Sequence, residues 1–346
     1  MITPRLFLPE LMRAFLLRRL FTIILVWLGV TLLTFIIANV IPSDPVALRL
    51  GPKASPESIA YWRHEYGLDQ PLPNQFVNYI GNLLKGDLGV SIFSGREIGK
   101  DLGIYLPASM ELALAAIFVT IVAGIPLGVF AAQKRGGLLD RFVMGLSSFG
   151  LAVPLFWLGL VLQLIFYRDL NLLPLDSRIT LYLGAPEHIT GFYVLDSLLS
   201  LDFERLGSAL LHLILPTITL SLFTLGGVAR MVRASTLENL SADYVRMARA
   251  KGASERRVFW RHVVRNSLLP TVTVLGNTFN ALLAGVFVVE VVFNWPGIGW
   301  YATKSILAAD YAAIMGITLI IAMISTTLNL LVDLLYGALD PRIQYS

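Results

Sequence analysis

The run "LFTIILVWLGVTLLTFIIANVI" at residues 20–41 contains 22 residues without a single charge. A helix that crosses about 30 Å of hydrocarbon needs about 20 predominantly apolar residues, so this stretch has the length and chemistry of a membrane span. The two arginines before it, Arg18 and Arg19, give it the look of a secretory signal. Its apolar run is too long for one, however, and no small-residue cleavage pattern follows, so it reads as a retained helix.

The whole chain shares this character. Only 14% of the 346 residues are charged and 56% are hydrophobic, with a mean hydropathy of +0.71. A soluble domain carries about 25% charged residues, so half that value points to lipid as the solvent. The chain has no cysteine, which excludes a disulfide framework and a thiolate metal site. Its four histidines, His64, His188, His212 and His262, are scattered with no metal-ligand spacing. Further span-length segments fall at 110–132, 142–166, 211–229, 269–293 and 313–337. The expected fold is therefore an all-α integral membrane protein with six transmembrane helices.

Lys and Arg collect on the cytoplasmic side of membrane proteins. Arg5, Arg13, Arg18 and Arg19 precede the first span, and Lys134, Arg135 and Arg141 follow the second. The fourth connection, 230–268, has nine basic residues against three acidic ones. The intervening segments are acidic on balance, with six basic and seven acidic residues in 43–108 and three and six in 167–210. This alternation predicts both termini in the cytoplasm. The organisation it implies is a cytoplasmic N-terminal segment over 1–19, a first span over 20–41, an extracytoplasmic cap of short helices over 42–109, and a core over 110–346. Partial order is expected in 167–210.

Within the basic connection, "DYVRMARAKGASERRVFWRHVVRNSLLP" at 243–270 is patterned as two helices with a corner between them. Asp243 is placed to cap the first helix, Gly252 suits the left-handed residue that ends it, and Ser254 is placed to cap a second helix from Glu255 towards Ser267. Tyr244, Met247, Ala248 and Lys251 follow i, i+3, i+4, i+7 spacing along one face. Attraction to anionic lipid accounts for the charge, at about 1 kcal/mol per basic residue. It does not account for a short, punctuated helix, which suits a rigid knob set into a partner's groove.

These residues resemble the permease subunits of bacterial ATP-binding-cassette (ABC) importers, and within them the dipeptide/oligopeptide branch. The family's cytoplasmic loop carries E-A-A, three residues, then G. Here Arg246-Met247-Ala248, Arg249-Ala250-Lys251 and Gly252 occupy those places, so only the second alanine and the glycine remain. The I-x-L-P ending falls on His262-Val263-Val264-Arg265, a departure, whereas "LLP" comes later at 268–270. The peptide branch's own form, "DYxRxARAKG…RHxxxNxLLP", is matched closely. The likeness continues through "LLTFIIANVIPSDP" at 32–45, "YGLDQPLPNQF" at 66–76, "GDLGVSI" at 86–92, "GIPLGVFAAQKRGGLLDR" at 124–141, "VVFNWPGIG" at 291–299 and "NLLVDLLYGALDPRI" at 329–343. "TGFYVLDSLL" at 190–199 leans towards its dipeptide subgroup.

The resemblance implies a type I ABC importer permease fold in the bacterial inner membrane. It implies a heterodimer with a second homologous permease, two cytoplasmic ABC ATPases that hold ATP and Mg, and an extracytoplasmic substrate-binding protein. It implies no cofactor in this chain, no nucleic acid, and no catalysis of its own. Tyr244 to Gly252 then form the coupling helix, so that Asp243, Tyr244, Arg246, Met247, Ala248, Lys251 and Gly252 dock on an ATPase. Arg256, Arg257 and Arg261 contact the ATPase or lipid headgroups. Relatives of this kind carry dipeptides, longer peptides, glutathione, nickel complexes or sugars, and the sequence does not choose among these.

Ionisable groups inside a membrane are costly and are candidates for function. Glu111, Asn277, Asn280 and Glu290 are candidates for the translocation path. A locally paired carboxylate or a helix-packing amide is the alternative for each, and pairing with Asn329 at i, i+4 is expected for Asp333. "GREIGKD" at 95–101 looks like a phosphate-binding loop but has three residues between its glycines and Asp101 in place of Ser/Thr. "GIPLG" at 124–128 permits close helix approach, Pro126, Pro154 and Pro216 can bend their spans, and "NWPGIGW" at 294–300 reads as an outer turn with Trp295 and Trp300 at the interface. An intramembrane protease would need partners for His212 or Ser147–Ser148 that the sequence does not supply. A secondary transporter would be expected to show an internal inverted repeat, and none is evident.

Overall fold

A computed structural model describes residues 8–40, 45–51, 54–65 and 69–339. The outermost terminal residues and the turn "PSD" at 42–44, on which some sequence expectations rest, lie outside this set. In chain order the helices are α1 (Leu8–Val40), α2 (Pro45–Leu50), α3 (Pro56–Glu65), α4 (Leu72–Leu84), α5 (Ile98–Val119), α6 (Ile125–Gln133), α7 (Leu138–Ala152) and α8 (Leu155–Gln163). They continue as α9 (Tyr193–Leu199), α10 (Phe203–Leu240), α11 (Asp243–Ala250), α12 (Glu255–Arg257), α13 (Arg265–Ser267), α14 (Leu269–Val292), α15 (Ile298–Leu307) and α16 (Tyr311–Leu339). Wide π turns fill Thr120–Gly124, Leu164–Asp169 and Val258–Val264. Among the described residues five helices are long and apolar enough to cross a membrane, and six if the bent pair α7 and α8 makes one crossing.

Several elements differ from the sequence expectation. The first helix already includes residues 8–19. The second span begins at Ile98, twelve residues before the expected 110, because "IGKDLGIYLPAS" is helical although it carries charge. The fourth extends over Phe203–Leu240 rather than 211–229, and Asp202 caps it by accepting from the Arg205 N–H at 3.0 Å. The third, expected as one helix over 142–166, breaks at Val153–Pro154 and turns by 106°. Pro154 has no N–H to give and disfavours helical backbone in the residue before it, and Val153 is extended. Pro126 is handled differently. The carbonyl it cannot bond, four residues back, lies inside the Thr120–Gly124 π turn, which re-routes the backbone bonds and keeps the span continuous.

The chain divides into two compact units. Among the described residues, one comprises those between 8 and 105 together with 301–331. In it, Trp27 donates its indole N–H to Thr326 Oγ1 at 2.9 Å, and Phe76 and Tyr79 of α4 pack on Phe35 of α1. Thr22, Thr31 and Thr34 return their hydroxyls to carbonyls one turn back, so these three hydroxyls are not offered to lipid unpaired. In the "GREIGKD" corner Asp101 is buried, pairs with Arg96 at 2.8 Å and accepts from the Ser94 hydroxyl, while the Arg96 carbonyl and Ile98 N–H bond back to Ser91 and Gly89.

The second unit, 106–300 with 332–339, is built on α10. Its core joins Ala108, Leu112 and Ala116 of α5 to Leu215 and Leu220 of α10 and to Leu282, Val286 and Val289 of α14. Small residues let the backbones meet, as "GIPLG" predicts: a Cβ on Gly128 would lie 2.5 Å from the Ala229 carbonyl, and one on Gly226 would lie 2.5 Å from Ser147 Cα. Asp140 of α7 and Arg233 of α10 form an ion pair, with Nη2 to Oδ2 at 2.9 Å.

Candidate functional site

The basic connection folds as two helices around a glycine corner. α11 spans Asp243–Ala250, and its first residue is Asp243 rather than Tyr244. The capping position belongs to Ala242, whose backbone is extended and whose side chain makes no cap bond, so the expected Asp243 cap is corrected. Asp243 instead sits in the first turn, where a carboxylate complements the helix dipole, 3.6 Å from Arg246. At the other end Gly252 adopts φ +78°. Its N–H reaches the Arg249 carbonyl at 2.9 Å and the Ala253 N–H reaches that of Ala248 at 3.2 Å, the paired bonds of a Schellman ending.

α11 is held from three directions. Val245 is fully buried in an apolar cluster with Val129, Val228, Val232, Val258, Phe259 and Val263. Tyr244 donates its hydroxyl to Asn239. Across the corner, the Arg249 guanidinium grips Glu255 with two bonds, at 2.9 and 3.2 Å. Met247 and Lys251 remain open, Met247 at 58% exposure, and Tyr244 is partly open beside them. Ala248, placed with them by spacing, turns partly into the cluster. The result is a stiff knob with a mixed apolar and cationic tip.

The return limb is not the single α-helix expected over 255–267. Ser254 occupies the capping position without a side-chain cap bond. After α12 the backbone widens into the Val258–Val264 π turn, then tightens into α13. Val258, Phe259, Val263 and Val264 are buried, whereas Arg256, Arg257, Trp260, Arg261 and Arg265 are exposed.

Of the four path candidates, Glu111 and Glu290 are each bound into local hydrogen-bond networks, whereas Asn277 and Asn280 lie along α14. Glu111 is buried. One of its carboxylate oxygens accepts from Arg178 at 2.6 Å and the other from the Val194 N–H at 2.9 Å. Arg178 also lies 3.6 Å over the Tyr193 ring and donates to the Gly191 carbonyl. Glu290 is likewise buried, accepting from Ser109 Oγ at 2.5 Å and from the Gly299 and Trp300 N–H groups at 2.6 and 3.1 Å. It ties down the "NWPGIGW" turn. Trp295 of that turn is buried, donating to the Ala108 carbonyl at 3.0 Å, and so is not the interface anchor expected of it. Asn277 is exposed on α14, and Asn280 is half-buried with its amide 3.5 Å from the Gly276 carbonyl.

Sequence reasoning missed two features. Arg178 was counted as a loop charge, because nothing local marks a partner 67 positions away. The other is a groove of about 580 Å³ between α10 and α14, lined by Phe223, Gly227, Arg230, Met231, Val274 and Thr278 among others. Its signal was present, since 223, 227, 230, 231 and 234 recur at helical spacing.

Residues 124–345 match the family described as binding-protein-dependent transport system inner membrane component, and residues 12–95 match the N-terminal component of such systems. The chain is 43% identical over 326 residues to the probable D,D-dipeptide transport system permease protein DdpB of Escherichia coli K12, covering 94% of this chain and 96% of that one. It is 41% identical over 335 residues to the di/tripeptide transport system permease protein DppB of Pseudomonas aeruginosa, covering 96% and 99%. To the dipeptide transport system permease protein DppB of Escherichia coli K12 the identity is 39% over 337 residues, with the same coverage.

Proposed function

The chain belongs to the family of binding-protein-dependent transport system inner membrane components, and from that premise we propose that it is one permease subunit of an ATP-driven importer of dipeptides and oligopeptides. Peptides as cargo are supported by the names its relatives carry. In this reading the chain pairs with a second homologous permease and rests on two cytoplasmic ATPases that hold ATP and Mg. It receives its cargo from an extracytoplasmic binding protein and catalyses nothing itself. Both termini and the 230–268 connection face the cytoplasm.

The observation that carries the mechanism is the seating of α11. A lever must transmit displacement without absorbing it. Val245 in its cluster, the Arg249–Glu255 clamp and the Gly252 corner leave the knob no soft joint. ATP binding closes the ATPase pair and draws the knobs together. α10, which leads directly into α11 and packs on α6 and α7, carries that movement into the spans and opens the permease pair outwards. Hydrolysis and product release reverse it.

Replacing Met247 and Lys251 with glutamate alters the tip without touching the seat. The ATPase is expected to be lost on purification while the second permease is retained, and peptide uptake is expected to stop. Retention of both ATPase and uptake would overturn the docking role. For the cargo, dipeptide-loaded binding protein is expected to stimulate ATP hydrolysis by the reconstituted complex. Stimulation by non-peptide ligands alone would overturn that assignment.

A further inference from the structure

The return limb from Ser254 to Arg265 presents a surface separate from the α11 tip, one for which the resemblance left both the ATPase and lipid headgroups open. Its buried side is apolar and fixed to the protein. Its open side carries Arg256, Arg257, Arg261 and Arg265, none of which has a carboxylate partner among the described residues. Trp260 is half exposed between them and meets Phe130 edge-on, with ring centroids 6.1 Å apart at 77°. Phe130 is itself 44% exposed, at the end of a span and one turn before Lys134 and Arg135. Exposed aromatic rings at the end of a span, followed by basic residues, mark the depth of the lipid headgroups. Ser254, Arg256, Arg257 and Trp260 line a shallow, open depression of about 430 Å³. Guanidinium groups present rigid forks that fit phosphate oxygens in pairs.

We propose that Arg256, Arg257 and Trp260, with Phe130 beside them, form a binding site for the phosphate headgroup of an anionic phospholipid. The arginines take the phosphodiester and the two rings take the glycerol and upper acyl region. This separates the two limbs of the connection: α11 addresses a protein, and the limb after the glycine corner addresses the bilayer. Only the assignment of the lipid to the inner leaflet rests on the cytoplasmic orientation proposed above.

The test uses the intact complex in nanodiscs containing brominated phosphatidylglycerol or brominated phosphatidylcholine with identical chains. The chain has six tryptophans, so the Trp260 contribution is taken as the difference between the unaltered protein and Trp260→Phe. Phosphatidylglycerol is expected to quench it preferentially, with about a fivefold gain in local occupancy per arginine. In Arg256→Gln/Arg257→Gln that preference should fall to parity, and in Arg256→Lys/Arg257→Lys part of it should remain. Equal quenching by both lipids in the unaltered protein would overturn the proposal, as would a preference that survives the glutamine pair. Loss of the ATPase from the glutamine pair with headgroup preference unchanged would give the arginines to the protein partner instead. The lipid preference does not require transport, so its failure and failure of the importer reading are distinguishable.

Discussion

Glu111 and Arg178 form an ion pair in which both side chains are almost closed to water. Desolvation makes such a pair a weak source of stability while intact, but removing one partner strands the other charge. Glu111→Gln is therefore expected to cost about 3–5 kcal/mol, read as a large drop in the melting temperature of the solubilised complex. The double change Glu111→Leu/Arg178→Met should recover most of that loss. If the single change is harmless, the pair is not buried as described. Glu111 stood out in the sequence as an acid at the head of a span, but its partner did not, because only the folded 178–194 segment brings the guanidinium to it.

Asp196 gives the same scale a dependence on pH. Burial works to raise its pKa but is outweighed by hydrogen bonds from the Thr190 hydroxyl and from the backbone N–H groups of Thr190, Gly191 and Ile189, so the pKa is held below the ordinary carboxylate value. A depressed pKa means stability that is present above the unfolded value and lost as pH falls through the folded one. Amide exchange in 189–197 is expected to accelerate on acidification below the usual carboxylate range. Asp196→Asn should be fast at neutral pH and indifferent to acid over that range.

Among the elements, α11 shows how far a local reading reaches. Gly252 announced the corner because a positive φ is costly for any residue with a Cβ. The cap was misplaced because Asp243 has the right chemistry, whereas the extended backbone that defines a cap fell on Ala242. The π turn was hidden for a different reason. Seven residues are too few to tell 3.6 from a wider period, although the buried pairs 258/263 and 259/264, five apart, do carry the signal. Pro154 was legible as a bend, but its 106° magnitude was not. What the sequence could not supply is which side chain anchors the knob, and Val245 is that residue. Val245→Asp would bury a carboxylate in an apolar cluster, which costs several kcal/mol or else expels the helix. The expected outcome is a complex that assembles its permease pair, hydrolyses ATP without stimulation and does not import. Val245→Leu should keep all three properties. Normal import by the aspartate variant would show that the seat is dispensable.

For the whole molecule, the count of crossings decides where the knob lies, and the bent pair α7–α8 decides the count. If α7 and α8 together cross the membrane, Leu138 and Ser254 share a side and Tyr182 lies opposite. If the pair dips in and returns, Leu138 and Tyr182 share a side, and α10 then delivers Ser254 to the other. The nine basic and three acidic residues of 230–268 favour the first arrangement, since a second basic connection around Lys134 and Arg135 would otherwise lie on the opposite face from it. Because the chain lacks cysteine, the question can be put to single substitutions, Leu138→Cys, Tyr182→Cys and Ser254→Cys, at exposed positions. An impermeant maleimide added to right-side-out vesicles should label only the cysteine at 182, and inverted vesicles should label those at 138 and 254. Labelling of 138 together with 182 in inverted vesicles, with 254 labelled in right-side-out ones, would reduce the crossings to five. It would remove α11 from the side where ATP is hydrolysed, and the lever would have no motor to follow.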